Sequence, residues 1–191
     1  MPLRPILCDT LVRFQRSVLR ETGCRPLTFL RTPVEETLLL PGCTKPGYTF
    51  WQPAAWPEGM PAPGSKAGSF HPSILEYLSV CQFLEIPFCL PVAPKGSPLS
   101  FLHGRIFETC PNTLSHPPAR ALEEAFLYQR EHPANLLAFC MAQTSDSGEP
   151  LLLMLRAVDG RAFIQSALDD QRILNLHVGL DRLLPKLQFT W

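Results

Sequence analysis

The chain lacks a surplus of either charge: 17 Lys and Arg offset 17 Asp and Glu. That balance argues against the strongly basic surface of a general nucleic-acid binder. Charged residues are 18% of the 191, below the roughly 25% usual for globular proteins. Long apolar runs are missing too. The strongly apolar run Leu151 to Leu155 falls far short of the roughly 20 residues that cross a bilayer as a helix. Met1 to Pro5 leads into a segment carrying Arg13, Arg16 and Arg20 without the apolar stretch of a secretory signal. A soluble, cytoplasmic protein is expected, with any membrane contact peripheral.

Specific chemistry is equally sparse. Cys-x-x-Cys does not occur, and the seven cysteines are odd in number and scattered. Reduced, mostly buried thiols are expected rather than a disulfide framework or a metal site. None of the five histidines stands at zinc-ligand spacing from another His, Cys or carboxylate. His71, His116 and His132 each precede a proline, which suits caps and turns. The Gly59 to Gly68 stretch is interrupted by prolines and has no strand–turn–helix context, so it is not a phosphate loop. Adjacent Glu123 and Glu124 point about 100° apart on a helix and do not form an acid/base pair. Cys110, with His116 six residues on, leaves a cysteine-dependent enzyme as a remote alternative. The sequence supplies neither the oxyanion donor nor the lowered pKa that such chemistry needs. No catalytic residue, metal, cofactor, small-molecule substrate or nucleic acid is expected.

Proline is what the chain has in excess, with 21 residues. Many short elements joined by stiff turns follow from that. The length fits a single domain, 1–191. Leu7, Leu11, Phe14 and Val18 repeat at helical spacing and predict a helix over 7–22, stopped by Gly23. Arg13, Arg16 and Arg20 fall on its other side and form a candidate basic face for anionic lipid or an acidic partner. Glu36–Leu40 and Tyr48–Gln52 predict a hairpin around a Pro/Gly-rich turn. A Pro/Gly-rich loop over 53–68 carries Trp56, placed to clamp it to the body. Pro72 predicts the first turn of a helix in which Ile74, Leu75 and Leu78 share a face. Phe83–Leu90, broken by Pro87, reads as an edge or irregular segment. Leu99–Phe107 reads as a strand.

A helix near Leu122–Glu131 is expected next, then a C-terminal meander and helix over 136–187. The meander has strands at Leu136–Met141, Leu151–Val158 and Ala162–Gln165, the last two joined by a two-residue turn at Asp159-Gly160. Leu176, Leu180, Leu183 and Leu187 predict a helix over Ile173–Leu184 with His177 near its apolar side. The fold class is α+β, a mainly antiparallel sheet flanked by helices.

Phe50-Trp51-Gln52-Pro53 follows an amphipathic first helix and precedes His71-Pro72-Ser73-Ile74. Together with the Leu122–Glu131 helix, the Asp159-Gly160 turn and the closing Leu180–Leu187 segment, this order resembles the bacterial Syd family of the SUKH superfamily. The resemblance covers nearly the whole chain. It implies a non-enzymatic protein whose concave acidic face binds basic cytoplasmic loops of the SecY translocon. The wider superfamily implies an immunity protein that occludes a toxin as the alternative. Residues 115–149 are the most acidic stretch, and Glu123, Glu124 and Trp56 are the candidate partner contacts. Trp51, Gln52, Pro53, His71, Pro72 and Ser73 are family-motif positions with an expected structural role. The chain's neutral balance departs from the acidic character of the family.

Overall fold

The structure, a computed structural model, describes residues 2–29, 36–55, 70–84, 86–92, 100–106, 136–144, 148–166, 168 and 173–189. Helix α1 runs Leu3–Thr22 and buries Leu3, Leu7, Thr10, Leu11, Phe14 and Val18. It starts a turn earlier than its leucine repeat suggests. Pro5 is tolerated there because the first helical N–H groups have no partner within the helix. Gly23 ends it in the left-handed conformation (φ 69°), donating its N–H to the Leu19 carbonyl.

Strands β1 (Leu27–Phe29), β2 (Leu39–Leu40) and β3 (Tyr48–Trp51) form a small antiparallel sheet in the order β1-β3-β2. The predicted hairpin is present, with Leu39 opposite Trp51 and Leu40 opposite Phe50. Its first arm is shorter than expected, because Glu36–Leu38 forms a single 3₁₀ turn. Strand β1 had no periodic signal; pairing with β3 creates it.

Helix α2 spans Pro72–Ser79. The main sheet then runs β4 (Ile86–Val92), β5 (Ser100–Ile106), β6 (Leu136–Thr144), β7 (Pro150–Arg156), β8 (Arg161–Ser166) and β9 (Ile173–Gly179), each antiparallel to the next. The predicted meander is thus part of a wider one. β4 stands at the edge of the sheet, where its prolines are tolerated, as Pro87 suggested. Strand β7 is central and buried on both faces over Leu153, Met154 and Leu155. The turn at Asp159-Gly160 is wider than two residues: the Gly160 N–H donates to the Arg156 carbonyl at 2.8 Å.

The expected helix over Ile173–Leu184 is corrected. Ile173–Gly179 is strand β9, and helix α3 is only Leu180–Leu183, extended by a 3₁₀ turn at Leu184–Lys186. Strand β8 is buried along most of its length and has an open edge that β9 pairs. Non-local pairing overrides a leucine repeat of helical period. His177 accordingly lies on an exposed bulge of β9 with φ 55°, not on an apolar helix face.

One contiguous buried cluster reaches from Leu3 to Phe189 and joins α1, α2, the inner sheet face and α3. A smaller cluster, Leu136, Met154 and Phe163, lies apart from it. No helix among the described residues is long and apolar enough to cross a membrane.

Candidate functional site

The aromatic motif is part of the core. Trp51 is 2% exposed and packs on Phe14 of α1, with ring centroids 5.6 Å apart. Phe14 also meets Phe189 edge-on at 5.7 Å. Three distant segments therefore close on one aromatic stack. The Gln52 N–H donates to the Leu38 carbonyl, and Ala54, just after Pro53, bridges Gln82.

His71 caps α2. Its Nδ1 accepts the Ser73 N–H at 3.3 Å and lies 2.8 Å from the Ser73 hydroxyl. The His71 N–H donates to the Ala157 carbonyl at 2.6 Å. The β7–β8 turn therefore rests on the start of α2, next to Gly160. Asp159 in that turn is held by Arg156 and by the Arg161 N–H. The hydrogen bond from Arg156 leads in lowering its carboxyl to about 2; burial opposes this, and the Arg161 N–H and the charges of both arginines add to it. A hollow of about 310 Å³ is lined here by His71, Ser73, Asp159, Arg161, His177 and Asp181, among others.

The predicted basic face is only partly available. Arg13 turns inward and donates to the Leu184 carbonyl at 2.9 Å and the Leu187 carbonyl at 3.1 Å, while its Nε reaches Asp9 at 3.0 Å. It binds the closing turn of the chain to α1. Arg20 reaches Glu21 at 3.1 Å. Arg16 is exposed and lines a groove of about 300 Å³ with Gln15, Leu19, Arg25, Trp51 and Gln52. Trp56, Glu123, Glu124, Cys110, His116 and His132 lie outside the described residues, as does the Leu122–Glu131 segment.

A wider hollow of about 570 Å³ opens on the main sheet. Register sets Arg105 opposite both Pro87 and Met141, and His103 opposite Gln143. These side chains share a face because paired residues point the same way. Met141 is 52% exposed. No described residue lining the hollow is acidic. Gly104 permits this close pairing: a Cβ there would lie 2.6 Å from the Met141 carbonyl oxygen and 2.8 Å from the Phe88 ring. Sequence reasoning placed His103 and Arg105 on a strand but did not single them out. Their spacing of two was the available signal.

The thiols of Cys81 and Cys140 are poor nucleophiles. Burial pushes the Cys81 thiol up to about 12 and raises that of Cys140 as well. No group of three or more His, Cys, Asp or Glu among the described residues could hold a metal ion. Comparison with protein-family models and with curated proteins finds no match.

Proposed function

We propose that this chain is a non-enzymatic, Syd-like member of the SUKH superfamily that binds the SecY translocon at the cytoplasmic face of the membrane. One observation supports the reading: two pairs of the described segments that carry the resemblance meet in space. Trp51 stacks on the first helix, and His71 docks on the turn that holds Asp159 and Gly160. A short motif is weak by itself, but motifs that fix one another's positions explain why they occur together. The acidic stretch 115–149 supplies the charge to meet basic loops, since complementary charge sets encounter rate and specificity.

The test is binding to vesicles with and without reconstituted SecY. Preferential binding to SecY vesicles is expected, weakened when Glu123 and Glu124 are both reversed to Lys in a chain that still folds. Equal binding to both vesicle types would sink the translocon reading.

The sheet hollow favours a second reading, a SUKH-type immunity protein that occludes a toxin. Exposed Met141 beside Arg105 and His103 suits a compact partner with an apolar, acidic contact. Tight one-to-one binding of a single soluble toxin, lost on Met141→Asp, would select this reading instead.

A further inference from the structure

The groove between α1 and β3 differs in character from the other surfaces. Its lining includes buried Trp51 and half-exposed Leu19, with Gln15 and Gln52 alongside. Arg16 and Arg25, both exposed, also line it. On α1, Val12, Arg16 and Leu19 lie within one narrow arc of the helix by the 3.6-residue period. Val12 and Leu19 are 40% and 53% exposed, and Leu27 beyond Pro26 is 40% exposed. Of these three, Leu19 is the one in the groove's described lining, beside both arginines.

We infer that this groove is a docking site for an acidic peptide segment of a partner protein, anchored by one apolar side chain. The apolar anchor fits over Leu19. The carboxylates on either side of it are taken by the Arg16 and Arg25 guanidiniums, whose planar forks suit bidentate pairing. The volume, about 300 Å³, matches the lower end of built ligand sites. A lipid surface fits less well. Polybasic membrane contacts use clusters of four to eight Lys or Arg at about 1 kcal/mol each. Here Arg13 is drawn to backbone carbonyls and Arg20 reaches Glu21, which leaves two cations among the described residues around a concave, not a flat, surface. The site is opposite in sign to one that would meet basic translocon loops, so it is a second contact and does not depend on the reading above.

Selection of displayed random peptides on the full chain, with counter-selection on the Arg16→Glu, Arg25→Glu double variant, tests it. The expected peptides carry at least two carboxylates flanking one large apolar residue. A selected peptide, titrated by fluorescence anisotropy, should lose at least about tenfold in affinity on the double variant. It should lose affinity on Leu19→Ser as well and weaken as salt is raised. All three positions are exposed, so thermal unfolding checks that each variant folds. Enrichment of neutral or basic peptides, no enrichment, or unchanged affinity on the double variant would each overturn the inference. So would binding of phosphatidylserine vesicles that the double variant abolishes while no peptide is enriched. SecY-vesicle binding that survives in the double variant separates this site from the translocon reading.

Discussion

The carboxylate of Glu76 closes the start of α1 on Leu3: its Oε2 accepts the Leu3 N–H at 2.9 Å, and its Oε1 accepts the Arg4 N–H at 2.7 Å. An acidic group at a helix N-terminus satisfies orphan donors and meets the positive end of the helix dipole. The cap comes from another helix, so it also fixes the distance between α1 and α2. Glu76→Ala is expected to cost about 1 kcal/mol, a fall of roughly 2–4 °C in Tm at this size. An unchanged Tm would show that the cap contributes nothing.

Gly160 and Gly148 form a matched pair. Both have φ 66°, but a Cβ on Gly160 would lie 2.6 Å from the Ser73 hydroxyl and 2.8 Å from His71 Nδ1, whereas Gly148 has no described atom within 4 Å. Gly148→Ala should cost only the left-handed strain, about 1–2 kcal/mol. Gly160→Ala should cost more, because the ring that caps α2 must shift. Urea midpoints of the two variants decide it, and equal losses would argue against the docked turn.

Asp159 sets an acid response. Its carboxyl is held at about 2 in the fold, against an ordinary 3.8. The unfolded chain therefore takes up this proton first as pH falls. The stabilisation is complete above about 3.8 and is lost as pH drops toward about 2. Asp159→Asn should lower stability at neutral pH and flatten the acid loss across that window. A wild-type slope in the variant, followed by denaturant titration at each pH, would remove Asp159 as the cause.

Thiol reactivity should sort by burial. Cys8 and Cys24 are exposed, while Cys89 and Cys140 are buried. Burial holds the Cys81 thiol up at about 12, so it stays protonated at neutral pH. Mass spectrometry after brief iodoacetamide treatment should find Cys8 and Cys24 modified first. Cys81, Cys89 and Cys140 should follow only in denaturant. Early labelling of Cys140 would contradict the packing of β6 against the core.

Much of the local structure was legible in the residues. The apolar stripe of α1, the stop at Gly23, the His71-Pro72 start of α2 and strands β5 to β8 all follow from periodicity and turn chemistry. Those signals act within a few residues, and local sequence records them. What was misread depends on distant partners. Leu176 opens a run of leucines at helical spacing with Leu180, Leu183 and Leu187, yet Ile173–Gly179 also alternates Leu174, Leu176 and Val178 with Asn175 and His177. Either period was open until the bare edge of β8 selected the strand.

The candidate sites divide in the same way. The sequence alone determined the charge balance, the order of elements and the motif that stands at Trp51 and His71. Only the tertiary structure decided what the arginines do. Arg13, Arg16 and Arg20 are equivalent by spacing, but among the described residues the turn at 184–187 offers its carbonyls to Arg13 and not to the other two. Arg16 instead faces a groove whose other walls come from β3 and the residues ahead of β1. A side chain's partners are set by which segments pack beside it, and that information is held by the whole core and not by any one stretch of the chain.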